Sequence, residues 1–198
     1  MTLKKRSPFR KLTGKKLSWL ARNHRGATAI EFSLLVVPFS ALLFSIIEVS
    51  IVFFIGSTLT HSVQSTSRDI RVGQFQQTCG DAADFKAQVC AGMSGLGSCS
   101  NLRIDVRTSP DNKFSLDLLP DVPTTGDPND PDQPQIPPDT YDQTSAGKVV
   151  VVRAQYYHPL TLPSSFTRLA NQPGNTRLIT ATTAFRNEPF PSGCGGKP

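Results

Sequence analysis

The chain has 198 residues, of which 38% are hydrophobic and 18% are charged, and its formal net charge is +6. Residues 1–25 hold nine of the 21 Lys and Arg residues and no acid, so 12 basic residues stand beside all 15 acidic ones in the remainder. Because the remainder has no basic stripe with interleaved aromatic residues, the composition argues against nucleic acid as a partner.

The first predicted element after this basic head is a membrane span over residues 33–55. These residues contain Glu48 as their only charge, and as a helix they cover roughly 35 Å, enough for a hydrocarbon core of about 30 Å. The head is a positive-inside signal, so we expect the N-terminus to stay in the cytoplasm and the rest to be exported. Anionic lipid also attracts such a head.

The junction between head and span differs from a cleavable secretory signal. Such a signal has an apolar region of about 7 to 15 residues followed by a small-x-small cleavage site. Here the apolar run is longer, and Ala27-Thr28-Ala29 precedes it. Ordinary signal peptidase would therefore find its site on the wrong side, and the simple alternative is an uncleaved signal anchor.

Residues 25–32, with the sequence Arg-Gly-Ala-Thr-Ala-Ile-Glu-Phe, resemble the processing motif of Flp-type prepilins. They are more closely similar to the start of TadE-like minor pseudopilins of tight-adherence pilus systems. The resemblance implies that a prepilin peptidase cuts between Gly26 and Ala27, which leaves Glu31 and Phe32 near the new N-terminus. It extends to about residue 60, with a weaker likeness at residues 186–189, Arg-Asn-Glu-Pro.

The motif also makes chemical sense. Gly26 has no side chain to obstruct a membrane protease, and Glu31 lies about one helical turn from the amine that cleavage would create. The resemblance implies that Glu31 pairs with an α-amine, its own or a neighbouring subunit's, since an unpaired carboxylate near the bilayer centre costs about 2.5 to 3.5 kcal/mol. The alternative is that Glu31 lies among the headgroups and favours the N-terminal end of the helix dipole.

Two further residues interrupt the apolar segment. Glu48 lies about 26 Å along the helix from Glu31, so we expect its side chain to snorkel to water at the opposite interface. The functional alternative is an intramembrane contact with another subunit or a polytopic assembly protein. Pro38 is expected to kink the helix or to loosen its backbone hydrogen bonds.

Beyond the span the helix is predicted to continue to residue 72. An apolar stripe recurs at helical spacing and Gly73 offers a stop; the stripe consists of Ile55, Leu59, Val63 and Ile70. The chain thus divides into a basic cytoplasmic leader (1–26), a long helix (27–72) that is first membrane-spanning and then amphipathic, and an exported domain (73–198).

The exported domain is predicted to be α+β, with an antiparallel sheet backed by the long helix. A short helix is expected at about 81–93, and strands are expected at 102–106, 114–118, 148–157 and 178–185. The Pro- and Asp-rich stretch at about 120–140 cannot bury an apolar face, so we expect an exposed, poorly ordered loop. Its acidic run, residues 127–132, lacks the spacing of a calcium-binding EF-hand.

The four cysteines, Cys79, Cys90, Cys99 and Cys194, all lie on the exported side. Their even number and an oxidising compartment favour two disulfides, with three connectivities open. We favour one bond within the 79–99 region and a second that staples Cys194 back to the domain. No Cys-x-x-Cys pair is present and the histidines have no ligand-like spacing from the thiols, so we predict no metal and no cofactor.

The sequence contains no Gly-x-Ser-x-Gly, Walker or His-Glu-x-x-His motif, so we predict that the chain is not an enzyme. By resemblance, the chain is a TadE-like minor pseudopilin: a single-pass protein of the bacterial inner membrane with its domain in the periplasm. The implied partners are the prepilin peptidase, other pilins or pseudopilins, inner-membrane assembly proteins and membrane lipid. The alternative is an uncleaved bitopic protein whose periplasmic domain binds a partner or ligand.

Overall fold

The computed structural model describes residues 27–95, 97–127 and 129–191. The chain divides into two compact units after Phe44. The first unit contributes the beginning of helix α1, which runs from Ala27 to Arg71 with Pro38 inside it. Large apolar side chains from Ile30 to Phe44 are exposed in this part of the helix. By length and composition, α1 is a helix able to cross a membrane.

The second unit, residues 45–198, combines the rest of α1 with a sheet domain. Its described helices are α2 (Gln74–Gln77), α3 (Ala82–Gly92) and α4 (Ser164–Thr167), with a 3-10 turn at Cys99–Asn101. Its described strands are β1 (Leu102–Thr108), β2 (Gly126–Asp127), β3 (Asp130–Pro134), β4 (Thr140–Tyr141), β5 (Val149–Pro159) and β6 (Thr176–Arg186).

The sheet places β5 at its centre, in the order β4-β1-β5-β6. β1 and β6 both pair antiparallel with β5, so that Asp105 faces Arg153 and Tyr156 faces Ile179. The two-residue strand β4 pairs parallel with β1, which is the one departure from the predicted antiparallel arrangement in this sheet as described. β2 and β3 form a separate small hairpin.

One face of the sheet packs on α1 and α3. The predicted apolar stripe of α1 is confirmed, because all four of its residues are buried in the core. The short helix predicted at about 81–93 is confirmed as α3: its Phe85 and Val89 are fully buried, and Ala82 and Cys90 pack against the core. An Asp81 capping box begins α3 by accepting from the N–H groups of Ala83 and Asp84. The fold is the predicted α+β arrangement of a long apolar helix packed on a small sheet domain.

The strand predicted at 114–118 is wrong. Phe114 and Leu116 alternate with polar residues, but both are exposed and lie outside any strand. Ser115 and Asp117 instead bond each other: the Asp117 N–H donates to the Ser115 hydroxyl, which donates to the Asp117 carboxylate. Such local bonds compete with a strand ladder. In the stretch predicted as a loop, the structure has the β2–β3 hairpin and strand β4.

Candidate assembly helix and its attachment to the domain

The predicted processing and assembly residues lie at the start of α1. Gly26 lies outside the described residues, and Ala27 is the first residue of the helix as described. Glu31 and Phe32 follow within its first two turns, and both are exposed. Glu31 makes no ion pair with any residue in the described part of the chain.

The Glu48 side chain is buried, so the expectation that it snorkels to water is wrong. Glu48 is 5% exposed. Its Oε1 accepts hydrogen bonds from the backbone N–H groups of Thr161 at 2.5 Å and Leu162 at 3.0 Å. These N–H groups follow the end of β5, where they have no ladder partner. The carboxylate thus holds the connection after β5 against α1 through two charge-assisted hydrogen bonds.

His158 lies near this carboxylate, at the end of β5. Burial lowers the pKa of His158 below its ordinary value of 6.5, and the negative charge of Glu48 opposes part of that shift. The imidazole is thus held in its neutral form more firmly than an exposed histidine would be.

The C-terminal end of α1 is held by the segment Arg186–Pro189. The Glu188 N–H donates to the Arg71 carbonyl at 2.9 Å, and the two side chains form an exposed ion pair at 3.2 Å. Asn187 is buried and donates to Thr144 and to the Ser145 carbonyl. The segment that weakly resembles the family's closing sequence thus fastens the tail to the helix and the sheet.

Gly73 ends α1 in a conformation that requires glycine. Its φ is +84°, in the left-handed region, and a Cβ at this position would overlap the ring of Phe190. The predicted stop at Gly73 therefore serves both the turn and the packing of the tail.

The cysteines follow the predicted use in part. A disulfide joins Cys90 to Cys99, with their Cα atoms 5.8 Å apart, so it ties the end of α3 to the turn before β1. Cys79 is also disulfide-bonded. Cys194 lies outside the described residues, and the predicted staple to the tail remains a prediction.

A buried charge cluster on the other face of the sheet was missed by sequence reasoning. Asp105 pairs with Arg103 at 2.8 Å and with Arg153 at 3.0 Å, and the Thr140 hydroxyl donates to it. A signal was present in β1, whose alternate positions carry Arg103, Asp105 and Arg107, while β5 carries Arg153. Its geometry is that of a structural ion-pair network. No group of three or more metal-ligating side chains is assembled among the described residues.

These features define a class: an α+β protein that fits a single-pass membrane protein, because the one long helix among its described residues is exposed and apolar in its first part and buried against a domain in its second. Residues 26–68 match the model of the family described as TadE-like protein, which confirms the resemblance. That family implies a protein associated with the Tad pilus, and it is a structural family, not a known enzyme family.

The family match begins at Gly26 and ends inside α1. It therefore covers the apolar part of the helix and most of the buried stripe, but none of the sheet domain. No curated protein and no solved structure matches the chain.

Proposed function

We propose that this protein is a minor pseudopilin, cut after Gly26 by a prepilin peptidase, that initiates or supports assembly of a tight-adherence pilus or a related secretion apparatus. It is inserted in the bacterial inner membrane with its N-terminus in the cytoplasm and the domain of residues 73–198 in the periplasm. The observation that carries the proposal is the TadE-like match, which begins at the glycine of the processing motif.

The shape of α1 supports an assembly role. The domain is fixed to the later part of the helix by the buried apolar stripe and by polar contacts at both ends of that stripe, from Glu48 and from Arg71 with Glu188. The earlier residues, including Glu31 and Phe32, keep their side chains exposed. A helix with a long exposed apolar surface can pack on neighbouring helices in a membrane or a filament. The proposed partners are other pilins or pseudopilins and inner-membrane assembly proteins.

Processing is tested by locating the N-terminus of the mature chain. Peptide mass spectrometry of protein from cells with an active prepilin peptidase is expected to find a terminus at Ala27. Gly26→Ala, and more strongly Gly26→Val, should block cleavage because the added side chain obstructs the protease. Gly56→Ala is the matched control, since a Cβ there meets only Ile179 at an ordinary 3.5 Å.

Recovery of the full-length chain alone from such cells would contradict cleavage. It would favour the alternative, an uncleaved bitopic protein whose periplasmic domain binds a partner or ligand.

The assembly role of Glu31 is tested separately. If Glu31 pairs with an α-amine during assembly, Glu31→Ala should leave membrane insertion intact and abolish pilus formation. Ser33→Ala, two residues away on the same exposed helix, is the control and should leave piliation unchanged. Normal piliation of the Glu31 variant would instead place this carboxylate among the lipid headgroups.

A further inference from the structure

The connection between β5 and β6, residues 160–175, lies at the end of the domain that contacts Glu48 of α1. Ile179, near the start of β6, lies beside Gly56, and Glu188, just after its end, pairs with Arg71. β6 therefore runs in the same direction as α1. The connection that precedes β6 must lie at the level of helix residues before Gly56.

Glu48 fixes that level more closely. Its carboxylate binds the N–H groups of Thr161 and Leu162, so the start of the connection lies beside residue 48 of the helix. The helix residues that follow still carry exposed apolar side chains, among them Phe53 at 79% and Phe54 at 58%. Phe54 lies six residues beyond Glu48, about 9 Å further along the helix axis.

This geometry puts the connection at membrane depth. An exposed apolar surface of this kind belongs in lipid and not in water, so the bilayer boundary must reach Phe53 and Phe54. A segment held beside Glu48 then lies on the lipid side of that boundary or within it. Polar backbone is tolerated there when its groups are bonded, and Asn175 supplies such bonds to Leu160, Leu162 and Ser164.

The connection itself has the composition of an interfacial segment. Phe166, on the single turn α4, is 71% exposed, and Arg168 follows two residues later. No acidic residue occurs between Asp142 and Glu188 in the sequence. An aromatic ring beside an arginine is typical of the headgroup region, where the ring lies in the acyl boundary and the guanidinium reaches phosphate.

We propose that residues 160–175 form a second membrane contact, in which Phe166 is seated among the phospholipids of the leaflet on the domain side. Lipid is the expected partner of this segment, because the neighbouring surface of α1 beside Glu48 is continuously apolar. The domain is thereby held on the bilayer at two points, the helix and this connection. The proposal rests on the membrane span of α1 alone, so it stands whether or not Gly26 is cleaved or a pilus is assembled.

The test places a fluorophore at the proposed contact in the full-length chain. Trp19 is the single tryptophan, so a Trp19→Phe background makes Phe166→Trp the only emitter. Phe114→Trp is the matched control, because Phe114 is also exposed, at 63%, but follows the opposite end of the sheet. In vesicles of brominated phosphatidylcholine, quenching by the lipid is expected to be at least about twofold stronger at position 166.

Aqueous iodide should show the reverse order. Equal quenching by brominated lipid at the two positions would overturn the proposal. A third outcome would also overturn it: position 166 is protected from iodide, the protection depends on the protein-to-lipid ratio, and brominated lipid does not quench. A second copy of the chain, and not lipid, would then cover Phe166. Far-UV circular dichroism checks that each variant is folded.

A second measurement uses the unsubstituted chain and so does not depend on a variant that folds. A phospholipid with a photoreactive headgroup should label the peptide containing Phe166 more strongly than the peptide containing Phe114. Equal labelling of the two peptides would also overturn the proposal.

Discussion

Strands β1 and β5 are buried on both faces of the sheet, and the two faces are stabilised by opposite chemistry. Ile104 faces α1 and is fully buried in the apolar core, while its neighbour Asp105 faces the other way and is 1% exposed. Asp105 is balanced by Arg103 and Arg153. Strict alternation in a strand ordinarily means one dry face and one wet face, but here both are covered.

The cover on the charged face comes from the Pro- and Asp-rich stretch. The Arg153 guanidinium donates to the Pro120 carbonyl at 2.6 Å, and Arg103 donates to the Pro138 carbonyl at 3.3 Å. Asp139 accepts from the Ile104 N–H at 2.8 Å and pairs with Lys86. A segment with few apolar side chains can therefore bury a sheet face, provided that the face presents donors for its carbonyl and carboxylate oxygens.

The largest expected effect comes from breaking the charged face. Asp105→Ala leaves Arg103 and Arg153 buried without their counter-charge, which should lower the free energy of unfolding by about 3 to 5 kcal/mol. Urea unfolding of the full chain in detergent, followed by far-UV circular dichroism, measures the loss. Asp111→Ala is the control, because its ion pair with Lys113 is exposed. Equal urea midpoints for the two variants would mean that the cluster contributes no stability.

The apolar face should respond through packing alone. Ile104→Ala removes buried methyl groups and leaves a cavity in the apolar core, which should cost about 2 to 5 kcal/mol, whereas Ile104→Val should cost about 0.5 to 1.5 kcal/mol. The same urea experiment measures both variants. Ile136→Ala, at a partly exposed residue, is the control and should have a small effect. An Ile104→Ala midpoint no lower than that of Ile136→Ala would place Ile104 outside the stabilising core.

The contrast explains which elements could be predicted from the sequence. The stripe of α1, helix α3 and strands β1, β5 and β6 were predicted because their periodicity is local. The false strand at 114–118 has the same period, but its alternating Ser and Asp residues bond each other instead of a neighbouring strand. Periodicity identified the residues that can bury one face, and it carried no information about what covers the other.

The candidate site was predictable only near the N-terminus. The junction around Gly26 is a contiguous motif, so the TadE-like resemblance could be stated from eight residues and was confirmed by the family match. The partner of Glu48 lies 113 residues further along the chain. No local pattern pairs a helix carboxylate with backbone N–H groups at that separation, and the fold alone brings them together.

The next largest effect is expected at Glu48, whose buried hydrogen bonds lie on the side of the sheet packed against α1. The test asks whether loss of this polar contact destabilises the fold, as loss of the buried charges should. Glu48→Ala leaves the Thr161 and Leu162 N–H groups without their acceptor, which should cost about 1 to 3 kcal/mol. Hydrogen exchange of these two amides should accelerate together. Glu188→Ala is the matched control: its pair with Arg71 is half-exposed, so it should cost about 0 to 1 kcal/mol. Unchanged exchange at Thr161 and Leu162 would contradict the anchoring role of Glu48.

The smallest effect is a pH dependence at the same end of the sheet. Because burial lowers the pKa of His158 and Glu48 only partly opposes this, the unfolded chain binds this proton more readily than the folded one. The stabilising contribution is therefore complete above the unfolded pKa of about 6.5 and is lost as the pH falls toward the folded pKa. Urea midpoints between about pH 8 and about pH 5 should decline on acidification.

Carboxylates also titrate in part of that range, so the variant His158→Gln is needed to isolate the histidine. It should decline less steeply than the unsubstituted chain, while His61→Gln, at an exposed position of α1, should not change the slope. A His158→Gln slope equal to that of the unsubstituted chain would mean that Glu48 compensates fully for the burial of the imidazole. The two groups would then act as an ion pair. This end of the domain would be stabilised by paired charges, as the charged face of the sheet is.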